Sequence, residues 1–139
     1  MTFTSEIKVR FGDIDHAGVA YYPNLYHYLH IAFEEFFEQC AGKDYSRVLE
    51  EDGLGFPTVH VETDFRKPVR YGDTLGISLT VERVGGSSVE ILFTVARVGD
   101  AEPCMVSRQT VVAVDMGTFS PIQLPEAYRQ VFLRCKPTA

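Results

Sequence analysis

Two acids and a histidine crowd into Phe11-Gly12-Asp13-Ile14-Asp15-His16-Ala17-Gly18, a glycine-punctuated stretch that leads into Tyr22-Pro23-Asn24. Pro23 suits the first turn of a helix, so these acids stand just ahead of a helix N-terminus. The unpaired N–H groups of such an end carry partial positive charge and favour a nearby carboxylate. They also polarise a carbonyl or hold an oxyanion. A carboxylate that can attack, or activate water, beside donors that take up charge on oxygen is the equipment of acyl-group chemistry. On residue types alone either acid also serves as an ordinary turn or cap acid.

The composition bounds what else the chain can be. Its 139 residues, with 45% apolar and 23% charged, suit one soluble domain spanning 1–139. The stretch Met1 to Glu6 lacks the basic and apolar segments of a signal peptide, and no apolar run is long enough for a bilayer, so a cytoplasmic protein with no membrane partner is expected. Cys40, Cys104 and Cys135 are far apart and odd in number; they form neither a metal pattern nor a disulfide framework. His27 and His30 find no further ligands in the pattern, so no metal is expected. A formal charge of −6 argues against nucleic acid, which needs a basic surface. Arg66, Lys67 and Arg70 form the densest positive group and are candidates for the phosphates of a small ligand.

The elements that must position these residues are legible as two periodicities. From Pro23 to about Gly42, Leu25, Leu29, Ala32, Phe33, Phe36, Phe37 and Cys40 recur at helical spacing, with Gly42 as the stop. A shorter helix is expected over Ser46 to Glu51, and another from Pro125 through Arg129. The second half alternates with period two. Leu75, Ile77, Leu79 and Val81 share one face, as do Val89, Ile91, Phe93 and Val95 after Gly85-Gly86. Met105 to Val114 reads as a further strand, and Phe3 to Val9 and Val59 to Phe65 also alternate. Strand, long helix, then four strands is an α+β arrangement. One sheet on one helix leaves open edges, which favours oligomerisation by edge pairing.

This order resembles the hotdog fold, an antiparallel sheet of about five strands wrapped around one long central helix. Within it the chain resembles the 4-hydroxybenzoyl-CoA thioesterase family. The stretch Phe11 to Gly18, followed by Tyr22-Pro23-Asn24, is similar to that family's F-G-D-x-D-P-A-G…Y-P-N, and Phe56-Pro57, Tyr71 to Leu75 and Leu124-Pro125 add matches along the chain. The resemblance implies an acyl-CoA thioesterase with no cofactor, CoA being part of the substrate. It puts the catalytic acid on Asp15 and the carbonyl-polarising donor on the Tyr22 backbone N–H, with Asp13 structural. It also implies substrate contacts from His16, Gly18, His30, Phe56 and His60.

Two departures from the family pattern stand out. His16 replaces the usual proline, setting an imidazole beside the acid. Gly85-Gly86-Ser87 stands where the family's best-known member resembles a basic nucleotide clamp, so CoA phosphates would turn to Arg66, Lys67, Arg70 or Arg83. The expected product is a free carboxylic acid and CoA, made by a homodimer at minimum and extending to a tetramer, with sites shared between subunits. The alternatives are a hotdog dehydratase or hydratase on a β-hydroxyacyl thioester, with His16 or His60 as base, a thioesterase using Glu34 or Glu35, and a noncatalytic acyl-CoA-binding protein.

Overall fold

The apolar stripe of the N-terminal half forms α1 (Tyr22–Phe36) in the computed structural model, which describes residues 2–137. Pro23 lies in its first turn, and Leu25, Tyr28, Leu29, Ala32, Phe33 and Phe36 are its buried face. Phe37–Ala41 continue it as a wider π-helical turn, closed by Gly42 at φ 70°, a left-handed conformation that glycine adopts without steric cost. The helical segment thus reaches the expected stop, but its last turn is wider than a three- and four-residue spacing foresees. α2 (Tyr45–Glu50) follows, with the Asp44 carboxylate accepting from the Ser46 N–H as its cap.

The sheet has five antiparallel strands in the order β1-β4-β5-β6-β3: β1 (Phe3–Lys8), β3 (Thr58–Phe65), β4 (Thr74–Val84), β5 (Ser88–Arg97) and β6 (Met105–Val112). The period-two pattern is realised as expected: Leu75, Ile77, Leu79, Val81 and Val89, Ile91, Phe93, Val95 are all buried in the core with α1. Met105 to Val114 does not run as one strand. The ladder ends at Val112, and Val114–Asp115 becomes β7, which pairs with β2 (Leu54–Gly55) in a separate two-stranded sheet. The C-terminal helix α3 (Glu126–Arg134) is longer than expected and brings Phe132 into a stack on Phe36, with ring centroids 5.5 Å apart. This is the wrapped-helix architecture of the hotdog fold.

The two edges differ. β1 alternates buried and exposed residues, whereas nearly all of β3 is open, with Val59, Val61 and Phe65 exposed by 61%, 41% and 51%. An open strand carrying apolar side chains is a ready template for another chain. The thiols serve packing: Cys104 and Cys135 are buried, and burial, reinforced by the neighbouring Cys40, pushes the Cys135 thiol up to about 11. A thiol so protonated is a poor nucleophile at neutral pH. Among the described residues no helix is long and apolar enough to cross a membrane.

Candidate active site

After β1 the chain makes a single 3-10 turn, Phe11–Asp13, and then a small hairpin. Ile14 bridges Ala20, and the Asp15 N–H donates to the Val19 carbonyl at 2.9 Å. Gly18 sits in this hairpin at φ 83°, and its N–H closes the turn onto the Asp15 carbonyl at 3.0 Å. No atom approaches where its Cβ would be, so the glycine is required by backbone conformation rather than by close approach of a neighbour. One oxygen of the Asp15 carboxylate accepts from the Ala17 N–H at 2.8 Å, the Asx-turn geometry that aspartate favours. Its other oxygen has no protein donor among the described residues, and Asp15 and His16 are both exposed.

Asp13 has a different role. Its carboxylate accepts from the Arg10 N–H at 2.9 Å and from the Tyr28 hydroxyl at 2.6 Å, while its carbonyl accepts from the Tyr21 N–H at 3.1 Å and Asn24 Nδ2 at 2.8 Å. Both ends of the residue therefore fasten the loop to the start of α1. The buried Tyr28 hydroxyl is held protonated, far above the ordinary phenol range, first by desolvation and then by its bond to the Asp13 carboxylate.

These bonds also decide which helix-end donor is left over. The Tyr21 N–H is taken by Asp13, Pro23 has no N–H, and the Asn24 N–H turns back to the Tyr21 carbonyl at 2.8 Å. Between Tyr21 and Asn24 it is the Tyr22 N–H that has no acceptor among the described residues. Tyr22 lines a groove of about 350 Å³ together with Val19, Leu25, Phe65, Arg66 and Lys67. The wall holding the cations is tied to the reactive hairpin: the Ala20 N–H donates to the Val69 carbonyl at 2.7 Å, and Val19 bridges Arg70.

Tyr22, Arg66 and Lys67 thus line one groove together with Val19 and Ala20 of the hairpin that carries Asp15, His16 and Gly18, and Arg70 is bridged to Val19 beside it. Lys67 is already engaged, by Asp100 at 3.2 Å and Glu102 at 3.4 Å, and these acids hold its ammonium above the usual lysine range. Arg66 has only a 3.9 Å approach to Asp64, and Arg70 makes no ion pair among the described residues. Arg83 is not part of the cluster. It stands ten residues along the chain from Asp73, roughly 30 Å of strand away, near the opposite end of β4.

His30 and Phe56 belong to a second, deeper cavity of about 280 Å³ between α1 and the sheet. His30 Nδ1 lies 3.1 Å from Glu34, whose carboxylate is therefore engaged, and Glu35 accepts from Ser5 of β1. Phe56 is buried and packs edge-on to Phe33 and Phe132 at 6.4 and 5.5 Å. His60 does not join them. It is paired with Thr110 in the ladder, on the face of β3 opposite to that carrying Val61 and Thr63, and its ring meets only Glu62 at 3.2 Å. Three contributors escape reading from sequence: Tyr28, Tyr26 and the buried Gln109. Tyr28 could have been found at the i+3 position from Leu25 on the helix stripe, and Gln109 at the i+4 position from Met105 on the strand.

A hotdog sheet with a free helix-end donor and an exposed acid hairpin defines a thioesterase-like protein. The chain belongs to the thioesterase-like superfamily, whose pattern matches residues 9–132. It is 35% identical, over 91% of its own length and 83% of the relative's, to a 1,4-dihydroxy-2-naphthoyl-CoA hydrolase of Nostoc punctiforme. A hydrolase of the same name from Rippkaea orientalis is 30% identical over 88% of each chain. Its fold matches a 1,4-dihydroxy-2-naphthoyl-CoA thioesterase from Synechocystis at a TM-score of 0.86, with 22% identity and 96% of both chains covered. A gentisyl-coenzyme A thioesterase matches at 0.81, with 22% identity over 91% of this chain and 98% of the other.

The Asp13–Tyr28 bond has a pH signature. A raised tyrosine pKa means that the folded state keeps a proton the unfolded chain loses near pH 10, so its stabilisation is complete below that value and falls as pH rises beyond it. Tyr28→Phe should cost about 1 kcal/mol at pH 7 through the lost hydrogen bond. It should also flatten the fall in stability between pH 9 and pH 11, measured by urea titration. Tyr128, bonded to Asp52 and raised likewise, retains its own share of that fall.

Proposed function

We propose that this chain hydrolyses an acyl-CoA thioester to a free carboxylic acid and CoA, without a cofactor. The observation that carries this reading is the unclaimed Tyr22 N–H at the head of a 15-residue helix, on a groove bordered by the Asp15 hairpin. The thioester carbonyl accepts from that N–H, and the helix end stabilises the charge that gathers on oxygen as the carbon becomes tetrahedral. Asp15 uses its free carboxylate oxygen in one of two ways. As a general base it takes a proton from water while the water oxygen attacks the carbonyl carbon. As a nucleophile it forms a mixed anhydride that a water then cleaves. In both routes the C–S bond breaks, the thiolate leaves with the electron pair and is reprotonated, and one water is consumed.

Arg66 and Arg70 are the cations free to meet CoA phosphates, with Lys67 restrained by its own acids. A flat hydroxyaromatic acyl group suits the deeper cavity, and 1,4-dihydroxy-2-naphthoyl-CoA, the substrate named for the relatives, is the first thioester to assay. The hydratase and noncatalytic alternatives are not favoured: the curated relatives are named hydrolases, and His60 faces away from the cavity. We also propose a homodimer built on the open edge of β3, which would cover Val59 and Phe65 and roof the exposed Asp15 hairpin. The three free thiols suit a reducing, cytoplasmic setting.

Asp15→Asn should retain the fold and substrate binding while kcat drops by roughly 10²–10⁴-fold, the usual range for a lost general base. Wild-type turnover in that variant, read by thiol release, would refute the assignment. For the phosphate contacts, Arg66→Ala and Arg70→Ala should each raise KM more than they lower kcat, with a smaller effect from Lys67→Ala, and the differences should shrink as salt is added. Equal KM values across all three variants and the wild type would remove the phosphate assignment. Light scattering should find a dimer or larger assembly, and Val59→Glu should shift it towards monomer with loss of activity; a fully active wild-type monomer would refute the shared site.

A further inference from the structure

The deeper cavity contains a polar group that the proposed chemistry does not use. Its walls mix aromatic and aliphatic side chains, with Leu29 and Phe33 from α1, Phe56, Val61 from β3, Phe93 from β5 and Val111 from β6. His30 and Thr58 add polar points to the lining. Gln109 stands among them on β6, 9% exposed and flanked in the ladder by Val61 and Ile91. One end of its amide is tied down, Nε2 donating to Ser107 Oγ at 3.2 Å. Ser107 continues to Thr63 at 2.9 Å, and Thr63 accepts from the Tyr26 hydroxyl at 2.8 Å. The Gln109 carbonyl oxygen takes no hydrogen bond from the described residues. No polar side-chain atom among the described residues is sealed away without a partner, so this oxygen opens onto the cavity that Gln109 lines.

An amide clamped at one end, with its carbonyl oxygen left accessible in a ligand-sized cavity, is an oriented acceptor for a ligand donor. The cavity lies where an acyl group would extend. At 1.5 Å of rise per residue, its helix wall from Tyr26 to Phe33 lies roughly 6–16 Å below the Tyr22 N–H. Between the two spaces stands one aromatic contact, Tyr26 on Phe65, with centroids 6.1 Å apart. Phe65 lines the groove and Tyr26 the cavity. A single ring held by its carbonyl at Tyr22 reaches only the mouth. A fused ring is long enough to pass the level of Tyr26 and extend towards Gln109. At about 280 Å³ the cavity is near the lower limit of small-molecule pockets, room for a ring system and not for a whole CoA ester.

We infer that Gln109 is a specificity residue that accepts a hydrogen bond from a hydroxyl on the distal edge of a fused-ring aromatic acyl group. This rests on the thioesterase reading for the orientation of the acyl group, and it goes beyond the substrate named for the relatives: both hydroxyls of a 1,4-dihydroxy-2-naphthoyl group lie on the ring that carries the carbonyl, so the hydroxyl read by Gln109 is a further substituent. The hydroxyl pairs with that oxygen, whereas an unsubstituted ring displaces water from it and offers no donor in return. Sites that hydrogen-bond a substrate hydroxyl discriminate against the analogue lacking it more strongly than apolar pockets discriminate by size. Tyr26, held by Thr63, and the Thr63–Ser107 pair are positioning residues, since they orient the amide and do not themselves meet the ring.

The test pairs 6-hydroxy-2-naphthoyl-CoA with 2-naphthoyl-CoA. The wild type should favour the hydroxylated thioester at least tenfold in kcat/KM, and Gln109→Leu, of similar volume, should erase that preference while still hydrolysing 2-naphthoyl-CoA. Gln109→Glu, which keeps an acceptor, should retain the preference. Equal rates for the two thioesters in wild type, or an unchanged ratio in Gln109→Leu, would overturn the inference. A second measurement separates it from the catalytic reading. Binding of 6-hydroxy-2-naphthoate and 2-naphthoate, followed by ligand fluorescence, should show the same Gln109-dependent preference. That preference without turnover of any thioester would sink the hydrolase and leave the binding site standing. Turnover of both thioesters with no preference would do the reverse.

Discussion

Asp13 fastens the acid-bearing loop to the central helix and its N-cap through three hydrogen bonds, with a fourth to the Arg10 N–H inside the loop, and the geometry of the site depends on that fastening. Its carboxylate holds Arg10 N–H and the Tyr28 hydroxyl, and its carbonyl holds Tyr21 N–H and the Asn24 amide. A residue at this position with only a carboxylate contact would leave the helix entry loose. One with only a backbone contact would leave Tyr28 unpaired under α1. Together they orient the first turn and consume neighbouring donors, so that Tyr22 N–H is the one left for a ligand. The second acid of the motif takes no part in this fastening, and one of its carboxylate oxygens stays open. Two aspartates two residues apart end in unlike surroundings, one clamped and one exposed, which is how a fold separates a structural carboxylate from a chemical one.

The helix earns its position from aromatic packing. Phe33, Phe36 and Phe37 meet Tyr45, Phe56 and Phe132 at centroid distances between 4.9 and 6.4 Å, a cluster in which edge-to-face pairs predominate. Large flat side chains at varied tilts fill space unevenly, and the cavity beside Phe33 and Phe56 is a space they leave. The π turn contributes here. By widening the last turn it keeps Phe37 buried, wedged between Tyr45 and Phe56, in place of rotating past the core. The same helix covers β4 and β5 fully and β3 only in part, which is why the side chains of β3 on the helix side remain open.

What could be read directly from the chain was local. Helical spacing identified α1 and its glycine stop, alternation identified β4 and β5, and the motif placed Asp15 and Gly18 in a turn. Features that depend on distant partners were not legible. Nothing around Asp13 announces Tyr28 as its anchor, and nothing around Lys67 announces that Asp100 and Glu102 will engage it. The strand break at Ala113 follows from β2, a two-residue partner with no pattern of its own. Gln109 is visible in the alternation Met105, Ser107, Gln109, Val111, but only the cavity gives its polarity a purpose. His60 and Arg83 show the converse. Resemblance named them, while ladder register turns the first to the other face and strand length carries the second to the other end.

The two spaces along α1 separate the tasks that a thioester hydrolase must combine. The groove at the helix head carries charge and a backbone donor, which on the proposed reading meet a polyanionic carrier and a developing oxyanion. The cavity below mixes aromatic and aliphatic walls with a few polar groups, which on the same reading select by shape and by a hydrogen bond. Tyr26 and Phe65 meet between them. Substitutions in groups this far apart, with no shared partner, act nearly additively. A change at Gln109 or Phe93 can therefore alter which acyl group is accepted without disturbing the Asp13 clamp or the Tyr22 donor. On the proposed reading catalytic geometry is held by the loop and the head of the helix and acyl preference by the sheet, so a chain of this fold can exchange one acyl group for another and keep its chemistry.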